Sequence, residues 1–349
     1  MRNEMESFVM VTGQSVNTGE AYKDSERISL FLFLFSAITA TYWITELRFQ
    51  FMREYDVASV KRLMEGTAMT PFQYRALFPW LMRLVGGIID LGNGQFSNFL
   101  FWMEFSNLLL ASISIKLYVK NVTNNDRLSN IMGILFFTSI PFLNFFTPLS
   151  RLYYPSDIPS IYFMAFGLLF LLQKKWLLYY IILIIGTFNR ETTLFLVIAY
   201  IATQFNSLDN KQFYKSVGLQ LVIWSGIKIG LWLLYHGNNG AGAFSLYHNS
   251  ELSEYTISFL NSRFYSNLMM FSQMKDASSF TSIGAFLLIP SIYYALQLNN
   301  SFVKRTLWVF PIFFGIMLLV GNLNEFRIYG ELIPLIWGIV GATISESIT

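Results

Sequence analysis

The sequence predicts an all-α fold: a polytopic membrane helical bundle of about ten transmembrane helices with an extended first outer loop. Three observations predict it. The 349 residues are 54% hydrophobic and 18% aromatic, with a mean hydropathy of +0.46. Only 13% are charged, about half the usual share of a soluble domain, so the chain cannot cover a water-facing surface. Apolar runs of near-spanning length recur between short polar connections. A backbone crossing a bilayer must satisfy its own hydrogen bonds, and helices do so within one segment.

The polar N-terminal stretch holds Glu4, Glu6, Glu20, Asp24 and Glu26. It reads as a cytoplasmic tail over residues 1–27, not as a cleaved signal peptide. The first apolar run, Ile28 to Thr45, is long enough to span and lacks a small-residue cleavage site, so it is expected to be a retained anchor. The membrane domain then takes residues 28–349, with outer loops at 46–96 and 236–281. Within the first loop, Val57 to Met64 reads as a short amphipathic helix. Phe78 to Leu91 is too short and too charged to span and is kept on the outer leaflet. Further runs follow at Phe99 to Val119, Ile131 to Pro148, Ile158 to Leu172, Trp176 to Phe188, Thr192 to Phe205, Val217 to Tyr235, Ser282 to Leu298, Leu307 to Gly321 and Ile328 to Ile344.

Trp176 to Phe205 is either one helix of about 45 Å with Arg190 and Glu191 at its centre, or two arms of about 20 Å meeting there. The hairpin is preferred. A single helix would put the basic pairs Lys211/Lys215 and Lys304/Arg305 outside, against the positive-inside rule. Neither arm crosses about 30 Å of hydrocarbon, so the apex is expected in a recess open to the outer side. With both termini cytoplasmic, the first loop alone breaks the rule, through Arg48, Arg53, Lys61, Arg62, Arg75 and Arg83. Binding an anionic group is one reason to retain them.

Composition excludes several classes. The net charge of +3 carries no polybasic block, so no nucleic-acid partner is expected. With no cysteine there is no disulfide framework, thiol nucleophile or thiolate metal site. His236 and His248 are the only histidines. No repeat of solenoid or propeller length is visible.

The unusual polar groups fall on the expected outer face. They are Glu54-Tyr55-Asp56, the Pro71–Pro79 run with Tyr74 and Arg75, Arg151 with Asp157, Arg190-Glu191, the 236–281 loop, and Asn324-Glu325-Phe326-Arg327. An enzyme or carrier with one active face fits this; a channel would show polar groups through its whole depth. Each has a plainer reading. Glu54 and Asp56 suit a solvated turn or helix N-terminus, and Tyr74-Arg75 suits an interfacial anchor. Arg190 and Glu191 are adjacent and do not face each other on a helix, so each needs a separate partner. Glu325 and Arg327 can pair with each other. Glu104 and Lys228 lie at similar depth and are expected to pair inside the bundle, and Gly226-x-x-x-Gly230 suggests a close helix contact. The Gly-rich stretch from His236 to Gly242 lacks a P-loop's Lys-Ser/Thr and reads as a flexible loop start. The loop beyond it, with Tyr247, His248, Tyr255, Phe259, Arg263, Phe264 and Tyr265, suits sugar stacking or the membrane surface. Asn121-Val-Thr123 is a glycosylation sequon on the wrong side.

Glu54-x-Asp56, followed about twenty residues later by Pro-Phe-x-Tyr-Arg-x-Leu-x-Pro, resembles the first-loop motifs of the GT-C superfamily of multi-pass glycosyltransferases, the mannosyltransferase-like members above all. The resemblance covers the first quarter of the chain by motif and the rest by topology. It implies a polyprenyl-phosphate sugar donor, inverting transfer on the outer or lumenal face, and a first-loop carboxylate as base. The sequence has Glu-x-Asp where the family has Asp-x-Asp or Asp-Asp, so a divalent metal ion is not a firm expectation. Asp56 is the candidate base, with Glu54 supporting the acceptor or an ion. Tyr74, Arg75, Arg151, Asp157, Arg190, Glu191, Glu325 and Arg327 are the candidate substrate-binding residues. Guanidinium groups among them suit phosphate, which they pair bidentately. The expected partners are a lipid-linked donor, a glycan, lipid or protein acceptor, and the bilayer, with a bacterial inner membrane favoured over endoplasmic reticulum. A polymerase or ligase of lipid-linked oligosaccharide, and a transporter or flippase of an anionic lipid-linked substrate, stay open beside it.

Overall fold

The computed structural model describes residues 18–88, 93–145, 151–205, 209–238, 264–265, 267, 289–321, 323 and 325–348. The described chain is helical but for one short strand pair. Helix α1 (Thr18–Phe51) leads to β1 (Arg53–Glu54), α2 (Val60–Glu65) and α3 (Leu77–Ile88). Then come α4 (Asn93–Thr123), α5 (Asp126–Leu135), α6 (Ser139–Phe145) and β2 (Leu152–Tyr153). The second half holds α7 (Asp157–Leu172), α8 (Trp176–Asn189), α9 (Leu194–Gln204) and α10 (Asn210–Tyr235). It ends with α11 (Ile289–Gln297), α12 (Ser301–Thr306), α13 (Val309–Val320) and α14 (Ile333–Ile348).

Among the described residues, six helical segments are long and apolar enough to cross a membrane: Ser25–Phe51, Gln95–Thr123, Asp126–Phe145, Asn210–Tyr235, Ser301–Val320 and Phe326–Ile348. The all-α bundle of apolar helices is thus observed, and six of the about ten expected helices reach spanning length among the described residues. Asp157–Leu172, Trp176–Asn189 and Glu191–Gln204 are shorter apolar helices. Their ends are set by polar residues inside the bundle: Asp157 begins one, and Asn189-Arg190-Glu191 separates the other two. Of Ser282 to Leu298, residues 282–288 lie outside the described residues.

The two arms α8 and α9 fold back on each other as a hairpin. The Tyr179 hydroxyl at the foot of α8 donates to the Leu196 carbonyl of α9 at 2.9 Å. Trp176 and Tyr179 lie 5.8 and 6.0 Å from the Tyr200 ring, and Gly186, near the apex, has Thr193 where a Cβ would fall. Helix α7 is buried along almost its whole length and forms the centre of the core. Helices α1 and α10 are exposed along most of theirs, with Phe31, Phe35, Val222 and Leu234 outward. Exposed apolar surface of that length fits a multi-pass membrane protein.

At one end of the bundle the connections are short. Asn124 and Lys174 take left-handed backbone in tight turns, and Gln173 donates to the Asn121 side chain at 2.6 Å. At the other end β1 pairs in parallel with β2, Arg53 opposite Leu152 and Glu54 opposite Tyr153. The first loop is pinned there by Gln73, which accepts from the Ala68 amide at 3.0 Å and donates to the Leu63 carbonyl at 3.1 Å. Asn238, just past α10, donates to the carbonyls of Gly66 and Ala68 at 2.9 and 2.8 Å.

Candidate functional site

The apex of the α8–α9 hairpin rests on the start of α7, where the Asn189 amide donates to the Ser156 carbonyl at 3.0 Å. Arg190 is extended, with φ −159° and ψ 145°. This breaks the helix, and successive side chains of extended backbone point opposite ways. Arg190 turns to Asp157 at 3.3 Å and Glu331 at 3.5 Å. Glu191 turns to Arg75 at 3.3 Å and Lys228 at 3.9 Å. Its backbone carbonyl accepts from the Trp224 indole at 3.1 Å. Thr192 donates to Glu331.

Arg327 lies in the 3₁₀ segment Phe326–Leu332 that leads into α14. It pairs with Glu325, donates to the Leu152 carbonyl at 3.0 Å, and lies 3.8 Å from Asp157. Its guanidinium sits 4.0 Å from the centre of the Tyr154 ring. Tyr154 stacks on Phe72 at 4.9 Å with planes 6° apart, and Tyr55 meets Phe72 edge-on at 5.8 Å. Arg75 lies over Phe72 at 5.4 Å and near Tyr154 at 5.8 Å. One aromatic stack thus has two guanidinium groups near it, Arg327 close over the Tyr154 ring, where the negative ring face favours a cation, and Arg75 at similar distances from both rings. Burial pushes the Tyr154 hydroxyl up, with Arg327 opposing it.

The structure gathers Arg75, Asp157, Arg190, Glu191, Glu325 and Arg327 into one buried or half-buried cluster. It does not bring Arg151 there; that exposed side chain donates to the Phe145 carbonyl at 3.4 Å. Tyr74 is half-buried in the 3₁₀ turn Phe72–Tyr74 beside Arg75, and burial pushes its hydroxyl up. Glu54 and Asp56 are exposed on the adjoining strand and turn, and no ion pair engages them among the described residues. Desolvation pushes the Glu54 carboxyl up; a hydrogen bond from the Val60 backbone opposes this, and the Asp56 charge adds to it. Among the described residues no group of three or more metal-ligating side chains is found.

One expected pairing and one expected helix contact are not observed. Glu104 does not meet Lys228. It pairs with Arg48 at 2.7 Å, both fully buried, and accepts from the Tyr153 hydroxyl at 3.3 Å. Arg48 also reaches Asn144. Lys228 instead faces the hairpin apex. Arg48 had counted among the basic residues of the outer loop; the last turn of α1 turns it inward, so it requires no anionic ligand. Among the described residues Gly226 and Gly230 form no close helix contact, since a Cβ at either would meet nothing within 4 Å. Glu331 was missed, although a carboxylate four residues after Arg327 in an apolar run is a legible signal.

Asn324, and Tyr247, His248, Tyr255, Phe259 and Arg263 of the 236–281 loop, lie outside the described residues. Phe264 and Tyr265 are exposed, while Asn267 is buried and donates to the Leu318 and Gly321 carbonyls at 2.9 and 3.0 Å. No family model matches the chain, no curated protein matches it, and no solved structure matches it.

Proposed function

We propose that the protein is a membrane glycosyltransferase that moves a sugar from a polyprenyl-phosphate donor to an acceptor hydroxyl at the extracytoplasmic end of the bundle, in a bacterial inner membrane. One observation carries the reading. The β1–β2 pairing sets Glu54 opposite Tyr153, with Asp56 in the turn just after it, and Tyr154, the next residue after Tyr153, carries Arg327 on its ring with Arg75 close by. A water-exposed base and a recessed set of cations side by side are what inverting transfer from a phosphate leaving group needs.

In that reaction the acceptor oxygen bonds to the anomeric carbon from the face opposite the phosphate. The bond from carbon to phosphate oxygen breaks, and its electron pair leaves with the phosphate. Asp56 takes the hydroxyl proton, and Glu54 orients the acceptor. The cations stabilise the charge that grows on the departing oxygen. The resemblance of the first-loop motif to GT-C enzymes supports the same reading.

Purified protein supplied with polyprenyl-phosphate sugars tests it. Inverting transfer to an acceptor hydroxyl, or slow donor hydrolysis, is the expected result. Donor binding without either reaction overturns the transferase in favour of a carrier.

A further inference from the structure

The charged cluster divides into two unequal halves. Arg190 and Arg327 are shared among three carboxylates, Asp157, Glu325 and Glu331. Arg75 and Lys228 share one, Glu191. Counted over the described residues, the first half holds one more carboxylate than cations and the second one more cation than carboxylates. An incoming anion is repelled by the first and attracted by the second.

The second half also has unused donors. Lys228 comes from α10, a helix whose other side faces lipid, and only 15% of its side chain is exposed. Its ammonium lies 3.9 Å from Glu191, beyond hydrogen-bond reach, and it has no other partner among the described residues. Arg75, 13% exposed, spends one terminal nitrogen on Glu191 and leaves Nε unpartnered. A cation held at membrane depth without hydrogen bonds is costly, and such residues mark binding sites more than packing. The two cations address different oxygens of Glu191, Arg75 facing Oε1 and Lys228 facing Oε2. Glu191 thus holds the place of two oxygens of a larger anion, and as the most exposed of the three, at 35%, it is free to yield it.

We propose that Arg75 and Lys228 form a binding site for the phosphate group of the substrate, with Glu191 as its resident counter-anion and Arg190 and Arg327 as the frame that positions it. This rests on the glycosyltransferase reading and changes its assignment of cations. Lys228 enters the site, and Arg190 and Arg327 leave direct contact with the phosphate. A lipid-borne phosphate entering beside α10 and a free phosphate compound from water share the chemistry.

The test uses the full chain in detergent with two probes, a polyprenyl phosphate and inorganic pyrophosphate. Amine acylation followed by peptide mass spectrometry reads Lys228 against exposed Lys61 in unaltered protein, so it does not depend on any variant folding. Polyprenyl phosphate is expected to protect Lys228 and not Lys61. Lys228→Gln is expected to weaken polyprenyl-phosphate binding about thirtyfold or more, the scale of a lost buried charge contact. Lys228→Arg should keep most of it, and Lys61→Gln should change nothing. Protection by pyrophosphate at equal concentration would keep the phosphate site and move its source to water. Absence of selective protection by either probe, or unchanged affinity in Lys228→Gln, overturns the site. Transfer by Lys228→Gln with unaltered donor KM removes the site and keeps the transferase. Lys228-dependent binding without any transfer keeps the site and removes the transferase.

Discussion

The two ends of the bundle are built on opposite principles. At the turn end, charges are exposed or half-exposed and hydrogen-bonded: Lys120 with the nearby Asp126 at 2.7 Å, and Arg127 with the Ser25 hydroxyl of α1 at 2.6 Å. Helix ends there are capped by Asn125 and Asn300. At the site end, charges are buried or half-buried, and several of their polar atoms make no hydrogen bond among the described residues, among them Asp157 Oδ2, Glu331 Oε2 and Lys228 Nζ. Helix ends do not need buried charge for stability, and desolvating it is expensive. The turn end spends its polar groups on closing the fold; the site end holds polar groups whose full satisfaction requires something else to arrive.

The largest expected effect tests whether the site end is held up by its own buried pair. Arg48 and Glu104 are fully buried and lock Tyr153 beside Glu54. Removing one partner of such a pair leaves an uncompensated charge, at about 3 to 5 kcal/mol. Glu104→Ala is therefore expected to lower folded stability by that amount in detergent melts. Glu104→Ala and Arg48→Met combined should recover part of it, because the stranded charge is then gone. Equal losses in the single and double variants would break the account.

Next in size is Asp56→Asn. A base that acts only in the transition state is dispensable for binding, so turnover should fall about a hundredfold or more with donor affinity and melting unchanged. Glu54→Gln should cost less. Because the folded state raises the Glu54 pKa, folded protein holds that proton more tightly than the unfolded chain. Its contribution to stability is present at low pH and is lost as pH rises through the raised value. Turnover has the opposite sense if ionised Glu54 orients the acceptor: the acid limb should lie above the usual glutamate range near 4.3 and move in Glu54→Gln. A limb unmoved by that change would leave Glu54 outside the reaction.

Arg327→Lys separates frame from ligand contact. The guanidinium plane lies on Tyr154 while its nitrogens reach Glu325 and the Leu152 carbonyl, and an ammonium cannot do all three. The expected loss is about 2 kcal/mol of stability, the scale of a desolvated cation–π contact. Lowered donor affinity in this variant with stability intact would return Arg327 to the phosphate.

The sequence made the turn end legible and the site end only in part. Apolar runs and the Lys/Arg bias locate helices and connections because those are local properties. The hairpin at Arg190-Glu191 was legible too, since a single helix through it would put the basic pairs Lys211/Lys215 and Lys304/Arg305 on the wrong side. Pairings between distant segments were not. Nothing local to Glu104 says that Arg48, one turn from the end of α1, is nearer than Lys228. Arg151 and Arg75 look alike in sequence, and only the aromatic stack that receives Arg75 tells them apart. Gly226 and Gly230 form a small-residue stripe, yet among the described residues nothing lies within 4 Å of where their Cβ atoms would be.

The smallest effect is the control on the comparison itself. Asn300 caps α12 by accepting from the Phe302 and Val303 amides, both at 3.1 Å, and its amide nitrogen donates to the Val122 carbonyl at 3.3 Å. Asn300→Ala removes these bonds and leaves the helix N-terminus to solvent, for about 1 kcal/mol of stability. All of these contacts lie at the turn end. If that end only closes the fold, transfer rate, donor affinity and the pH profile of Asn300→Ala should match those of the unaltered protein once the small melting shift is allowed for. A change in donor affinity from this distance would mean that the two ends are coupled through α12 and α13, and the division between a closing end and a binding end would fail.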